Sequence, residues 1–363
     1  AKSVLGAFTV PATAWATRAM AGRLADVVAA VFVAINTSFW HLDAFNLSEV
    51  VTFIFVALSI GAMYRYWRTP TMRWVVLSAV FVGLGTMTRA EIGSLAPFAI
   101  APLVLLAKVS WRDRFAHAAV SAAAFLTLVL PWVVFNLSRF EEPLYLSVGL
   151  EFAMAQGTCS LEEHGDYRFP DGATIEYGTY YGEFIGYWNL RCMRLPLEQQ
   201  GLIDADQSIA IRAMREFGME NIRRDPGQLP LVMAARVGRV YGLFRPLQAT
   251  DLEQLVERRE WYVADWSMLS WYAFATMGGA GALVLRRRGV TLIPVGAIVI
   301  GNIVSVALTI GNLRYRVPVD LVVVMLSGVT VAAGVRWVQG VVESGRIDQA
   351  RAPTSPEPSE MAP

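Results

Sequence analysis

Apolar stretches recur along the chain, and most of them approach the ~20 residues that a helix needs to cross the hydrocarbon of a bilayer. They lie at about 4–20, 25–40, 50–66, 74–88, 92–107, 117–137, 266–285, 290–310 and 318–335. The first two are weaker, because Pro11 interrupts one and the other is short. The pattern predicts an all-α polytopic membrane protein with about nine transmembrane helices.

Composition agrees with this prediction and narrows the choice of partners. Of the 363 residues, 55% are hydrophobic and 17% are charged, whereas about 25% are charged in soluble domains. The net charge of +1 argues against a nucleic-acid partner, because such proteins usually carry a strong basic excess. The chain begins at Ala1 and enters an apolar segment almost at once, so we expect a fragment that lacks its own N-terminus.

Lysine and arginine are concentrated in alternate loops, and this bias predicts the orientation of a membrane protein. The rich loops hold Arg18 and Arg23; Arg65, Arg68 and Arg73; Lys108, Arg112 and Arg114; and Arg286, Arg287 and Arg288. They are predicted to be cytoplasmic. The alternate segments then face outward, namely 41–49, 88–91, 138–265 and 311–317.

Four parts of the chain differ in composition. They are N-terminal membrane helices at 1–137 (about six), an outward domain at 138–265, C-terminal membrane helices at 266–336 (about three) and a cytoplasmic tail at 337–363. The outward part mixes glycine, proline, tyrosine and charges without a spanning apolar run, so it is predicted to be a mixed, mainly helical extracytoplasmic domain. The end of the tail, 346–363, is rich in proline, serine and charge and is predicted to be disordered.

Both cysteines, Cys159 and Cys192, fall in the outward domain. An oxidising outer compartment favours a disulfide between them, and the alternative is a pair of buried free thiols. The chain has only three histidines and no Cys-x-x-Cys or His-Glu-x-x-His spacing, so no protein-built metal site is predicted. A glycine-rich phosphate loop and a Gly-x-Ser-x-Gly motif are also missing from the sequence, which leaves nucleotide hydrolysis and serine esterase chemistry without support.

Polar residues at the outward ends of three helices form the candidate site. The segments are HLDAFNLSE with His41, Asp43, Asn46 and Glu49; TRAE with Arg89 and Glu91; and NLRYRVPVD with Asn312, Arg314, Arg316 and Asp320. Arginines on the outer side oppose the orientation bias, so they call for an anionic partner. A phosphate would suit them, because guanidinium groups bind its oxygens through paired hydrogen bonds. The alternative is that they pair with the neighbouring carboxylates or reach lipid headgroups.

Five short motifs follow one another along the chain, namely NTSFWHLDAFNLSEVVTF, GLGTMTRAE, LPWVVFNLSRFEEPLYLS, GYWNLRC and NLRYRVPVDLVVV. Their order resembles that of the bacterial polytopic glycosyltransferases related to dolichyl-phosphate-mannose protein mannosyltransferases, which have GT-C architecture. The resemblance implies a multi-pass enzyme of the cell membrane that takes a sugar from a polyprenyl-phosphate donor. It also implies transfer with inversion, on the outer face, to an acceptor that is a glycan, a lipid or a protein.

The resemblance also assigns roles to residues of this chain. It implies a catalytic base in an outward loop upstream of residue 1, which leaves Asp43 as a substitute whose alternative role is a helix cap. The implied substrate-binding residues are His41, Glu49, Arg89, Glu91, Arg314 and Arg316. We expect Arg89 to face the lipid phosphate with Arg314 or Arg316, and Glu91 to orient a guanidinium group or contact the acceptor. No cofactor is required, although a divalent cation assists some enzymes of this kind and the outer carboxylates could hold one weakly.

Two other classes of function remain open. A transporter or flippase of a lipid-linked sugar would place charges near the bilayer midplane and show two related halves. Here the charges cluster at one face and no internal repeat is evident. A ligase or polymerase of surface polysaccharide shares the polytopic form and the large outward segment with arginines.

Overall fold

Helices account for nearly all the regular structure of the chain. The computed structural model describes residues 2–39, 48–159, 167–168, 174–175, 185–187, 191–256 and 259–351. Its α-helices are α1 (Lys2–Ala7), α2 (Thr9–Ala21), α3 (Arg23–Ile35), α4 (Glu49–Arg68), α5 (Met72–Thr88), α6 (Ala101–Leu106), α7 (Trp111–Arg139), α8 (Gly149–Gly157), α9 (Arg191–Gln200), α10 (Gln207–Arg224), α11 (Leu229–Val240), α12 (Pro246–Val256), α13 (Trp261–Arg287), α14 (Ile293–Leu308) and α15 (Val317–Arg351). Two-residue strands β1 (Tyr167–Arg168) and β2 (Thr174–Ile175) pair antiparallel, with Tyr167 opposite Ile175.

Short 3₁₀ and π helices join some of these elements. The 3₁₀ helices are Ala90–Ser94, Pro226–Gln228 and Leu313–Arg316, and the π helix is Ala96–Ile100. The 3₁₀ helix Ala90–Ser94 begins two residues after α5 ends, and Leu313–Arg316 leads directly into α15. Both contain residues of the candidate site predicted from the sequence.

The described helices support an all-α membrane protein, with fewer long spans than the sequence predicts. Four described segments are long and apolar enough to cross a membrane, namely Glu49–Arg68, Trp111–Arg139, Trp261–Arg287 and Leu313–Glu343. Three shorter apolar helices are Met72–Thr88, Ala90–Leu106 and Ile293–Leu308. A helix lies in every predicted stretch, but α2 and α3, with 13 residues each, are short for a span of ~30 Å.

Small residues let the membrane helices pack closely. On α13, Gly281 lies against the backbone of Leu326 in α15, and on α15, Gly328 lies against Ala25 of α3. Because these glycines contribute no side chain, the helix backbones themselves form the contact.

Substitution of Gly281 by alanine is expected to lower the apparent melting temperature. An added Cβ would lie 2.0 Å from the carbonyl oxygen of Leu326, so α13 and α15 must separate. Overpacking of this kind typically costs about 1–3 kcal/mol. The matched control is Gly279→Ala in the same helix, where a Cβ meets nothing within 4 Å. Thermal unfolding of both purified variants checks the prediction, and equal melting temperatures would contradict the packing.

The segment 138–265, which the sequence predicts to face outward, is tied to the membrane helices by a buried arginine. Arg236 of α11 is 2% exposed and donates hydrogen bonds to the carbonyl oxygens of Ala307 and Gly157, both at 2.8 Å. These carbonyls lie near the C-terminal ends of α14 and α8, where helices leave acceptors unsatisfied. The amide of Gly311 also donates to the carbonyl of Gly186.

Cys159 and Cys192 form a disulfide with a Cα–Cα distance of 6.2 Å. Both residues are buried, and the bond joins the segment after α8 to the first turn of α9.

Replacement of both cysteines by serine is expected to destabilise the segment 138–265 by about 3–4 kcal/mol. Removing the cross-link over 33 residues restores conformational entropy to the unfolded chain. The measurement is the loss of protease resistance of this segment on heating, compared between the parent and the double variant. Reduction of the parent should reproduce the shift, and a reducing agent without effect would argue against the bond.

The C-terminal tail differs in part from the prediction. Helix α15 continues to Arg351, so residues 346–351, predicted to be disordered, are helical. The helix can continue because this segment has no proline before the one that follows Ala352. Residues 352–363 lie outside the described part of the chain.

Candidate functional site

A buried carboxylate joins two of the arginines that the sequence predicts to face outward. Glu49 is the first residue of α4 and its side chain is 0% exposed. Its Oε1 accepts hydrogen bonds from Arg89 Nη1 at 2.7 Å and from Arg314 Nε at 2.5 Å. The start of a helix also favours a negative charge. Three residues that are distant in the sequence therefore meet at one oxygen atom.

The chain conformation after α5 brings Glu91 to Arg89. Arg89 is extended, with φ −149° and ψ 118°, and the 3₁₀ helix Ala90–Ser94 begins at the next residue. Arg89 Nε donates to Glu91 Oε1, and the Arg89 guanidinium carbon lies 5.0 Å from the centre of the Tyr315 ring. Glu91 therefore contacts a guanidinium group of the cluster.

Arg89 is held in the charged state. Burial alone would lower its pKa, but the carboxylates of Glu91 and Glu49 outweigh burial and raise the pKa of the guanidinium. Arg89 uses Nε and Nη1 in these bonds, and its Nη2 makes no hydrogen bond within the described part of the chain. A further acceptor could therefore be bound without breaking either pair.

A cavity of about 480 Å³ opens at this cluster, and we call it the arginine cavity. Its wall includes Arg89, Glu91, Arg314, Tyr315, Trp132 and Ser305. The side chains of Arg314 and Glu91 are 28% and 27% exposed, so ligands can reach them, while Glu49 lies behind them. The two arginines and the two carboxylates balance in charge. The arginines thus pair with neighbouring carboxylates, which was the alternative to phosphate binding. An open cavity nevertheless lies beside these pairs.

Arg316 lies apart from the arginine cavity, so of the two arginines offered as neighbours of Arg89 it is Arg314 that lines the cavity. It is 2% exposed, donates to Asp320 Oδ1 at 2.8 Å and to the carbonyl of Val240 at 3.1 Å, and lies 4.2 Å from the Trp271 ring centre. In a 3₁₀ helix, residues two apart point in different directions, so Arg314 and Arg316 diverge. Arg316 ties α15 to α11 and α13.

Two candidates cannot be placed. His41 and Asp43, with neighbouring Asn46, lie in 40–47, which is outside the described residues. Within the described residues there is no group of three or more His, Cys, Asp or Glu that could hold a metal ion.

Sequence reasoning missed two aromatic residues of the cavity. Tyr315 lies between the two predicted arginines, and Trp132 lies near the end of α7. The enrichment of tryptophan and tyrosine at membrane interfaces was a usable signal for both. It could not separate cavity residues from residues that only face lipid headgroups.

Comparison with known families supports the resemblance over the first part of the chain. Residues 3–135 match the family model described as dolichyl-phosphate-mannose-protein mannosyltransferase. Comparison with curated proteins and with solved structures gave no match. The matched part is a little over a third of the chain and includes Glu49, Arg89 and Glu91, but it ends before Arg314. The expected resemblance is confirmed there, and it supports a multi-pass membrane glycosyltransferase.

Proposed function

We propose that this protein, matched over residues 3–135 by the mannosyltransferase family, transfers a hexose or pentose from a polyprenyl-phosphate donor to an acceptor on the outer face of the membrane. The observation that carries the proposal is the pair of arginines, Arg89 and Arg314, fixed on the buried Glu49 at the edge of an open cavity. The arginine cavity would bind the donor phosphate.

The arginines suit a leaving phosphate. As the bond from the anomeric carbon to the phosphate oxygen breaks, the electron pair stays on that oxygen, and preorganised donors stabilise the growing charge. Glu49 holds both guanidinium groups from behind, so they need little reorganisation when the phosphate arrives. Arginine is suited to this role because its planar donors match phosphate oxygens.

Inversion requires the acceptor hydroxyl oxygen to attack the anomeric carbon from the side opposite the phosphate. The hydroxyl proton must pass to a base as the new bond forms. Glu91 is the partly exposed carboxylate of the described cavity wall. Asp43, which lies outside the described residues, is the other candidate for this base.

Sugar transfer by the purified protein tests the proposal. Membrane-reconstituted protein is incubated with short-chain polyprenyl phosphates carrying labelled mannose, glucose or arabinose, together with glycan, lipid and protein acceptors, and the water-soluble and lipid products are separated. We expect release of polyprenyl phosphate coupled to transfer of one sugar. No transfer from any of these donors would overturn the proposal. Movement of the intact donor across vesicles would indicate a flippase, and polymeric products would indicate a polymerase or ligase.

The proposed site requires residues 138–265 to face outward, at the cell membrane. The loop with Arg286, Arg287 and Arg288 should then face the cytoplasm. A membrane-impermeant maleimide applied to intact cells should label a cysteine placed at the exposed Gln199 and not one placed at Arg287. Both positions should react once the membrane is permeabilised. The reverse pattern in intact cells would invert the topology and place the arginine cavity on the cytoplasmic side.

A further inference from the structure

A second cavity, of about 530 Å³, adjoins the arginine cavity. The two cavities share Ala90, Leu146, Ser147 and Leu150 in their walls. The second cavity otherwise lies among residues of the proposed outward domain, including helices α8 and α10. A molecule bound there would lie directly beside a donor in the arginine cavity.

The wall between the cavities is held by side chains of α7. Trp132 Nε1 donates to the carbonyl oxygen of Leu146, and Asn136 Nδ2 donates to that of Tyr145, both at 3.1 Å. Asn136 is 2% exposed. At the start of the same loop the amide of Glu142 donates to Ser208 Oγ of α10 at 2.9 Å. The loop is therefore fixed to both neighbouring helices and keeps the second cavity formed.

Four charged side chains line the second cavity. Two of them form an ion pair with each other, and the other two do not. Arg212 Nη1 and Glu142 Oε1 form an ion pair at 2.6 Å. Arg215 makes no hydrogen bond or ion pair to another described residue. Glu151 Oε2 is buried and has no hydrogen-bond partner in the described part of the chain. A buried carboxylate oxygen without a partner is costly, so this wall is suited to a ligand that donates hydrogen bonds.

We propose that the second cavity binds the acceptor, and that the acceptor is a saccharide. This rests on the proposed function. Saccharide hydroxyl groups both donate and accept, so they suit a wall that offers both a carboxylate and a guanidinium group. Tyr145, which is 62% exposed, adds an aromatic surface for the apolar face of a sugar ring.

A peptide acceptor fits this cavity less well. One common way for an extended peptide to bind is to add a strand to a free sheet edge. The described wall consists of helices and the loop from Glu142 to Ser147, and the carbonyls of Tyr145 and Leu146 each already accept one hydrogen bond from α7. This described wall therefore offers no free sheet edge, and its charged side chains favour recognition of hydroxyl groups.

Glycan binding by the purified protein in lipid nanodiscs tests the inference. A glycan array first identifies bound saccharides, and calorimetry then measures the affinity of the best of them. Arg215→Ala and Glu151→Gln should each weaken binding about tenfold, the usual effect of losing one charge-assisted hydrogen bond. The matched controls are Arg223→Ala and Glu216→Gln, which lie on α10, are exposed and line neither cavity. They should change the affinity less than about twofold.

Transfer kinetics separate this inference from the proposed function. With the same saccharide as acceptor, Arg215→Ala should raise the acceptor KM while the donor KM stays unchanged. If the parent binds saccharides at this cavity but transfers no sugar from any donor, the proposed function fails and the binding site stands. If sugar is transferred while both variants match their controls, the acceptor site is elsewhere. If the protein binds serine- or threonine-containing peptides and binds none of the saccharides on the array, the inference of a saccharide acceptor is also overturned.

Discussion

Replacement of Arg89 by lysine should reduce sugar transfer about a hundredfold and leave the fold intact, the usual effect of losing one preorganised donor at a developing charge. Arg89 donates from Nε to Glu91 and from Nη1 to Glu49, which leaves Nη2 for a phosphate oxygen. A lysine ammonium is a single point of charge and cannot match these three directions at once. The positive charge remains, so the loss would measure geometry rather than net charge.

The measurement is kcat/KM for a polyprenyl-phosphate sugar at fixed acceptor concentration, together with the apparent melting temperature. The matched control is Arg223→Lys, because Arg223 is exposed on α10 and lines neither cavity. An unfolded variant would show a lowered melting temperature as well as lost transfer. Undiminished transfer by folded Arg89→Lys protein would reduce the cluster to ordinary charges at the membrane interface.

Replacement of Glu49 by glutamine should both destabilise the protein and abolish most of the transfer. The glutamine keeps the size of the side chain but removes the charge that two guanidinium groups share at Oε1. Breaking a buried ion pair costs about 3–5 kcal/mol because a charge is left without compensation. We expect the lower end of this range, since the Arg314 side chain is 28% exposed and water partly replaces the carboxylate.

A double-mutant cycle with Arg314→Gln separates the causes of this loss. If uncompensated charge is responsible, adding Arg314→Gln to Glu49→Gln should recover part of the lost thermal stability. Glu216→Gln, which removes an exposed carboxylate on α10, should leave stability within about 0.5 kcal/mol of the parent. Additive effects of the two substitutions would mean that Glu49 and Arg314 do not stabilise one another.

Local patterns in the sequence were sufficient to predict the helices and to group Glu49, Arg89 and Arg314 at one set of helix ends. Long apolar runs predict helices because lipid offers the backbone no hydrogen-bond partners, so α4, α7, α13 and α15 follow from their sequences. The alternation of arginine-rich loops placed Glu49, Arg89 and Arg314 on one predicted side of the membrane. These inferences need only the order and character of neighbouring residues.

The number of spans could not be predicted as well as the helices themselves. Helix boundaries depend on turns and packing, and the short helices α2 and α3 read as spans in the sequence because their flanking residues are also apolar. Helix α15 likewise runs into a segment whose composition favours disorder. Hydrophobicity reports which residues avoid water and does not by itself fix where a helix ends.

The partners of the charged residues were decided by tertiary structure. Arg314 and Arg316 are near neighbours with the same chemistry, yet one pairs with Glu49, 265 positions away, and the other with Asp320 in the next helical turn. The motif LPWVVFNLSRFEEPLYLS was visible in the sequence. Only the fold brings its second half back against its first half, so that Trp132 and Asn136 hold the loop that forms the wall between the two cavities. Ion pairs and cavities depend on distances of a few ångströms between residues far apart in the chain. Sequence spacing determines such distances within one helix, and packing determines them between helices.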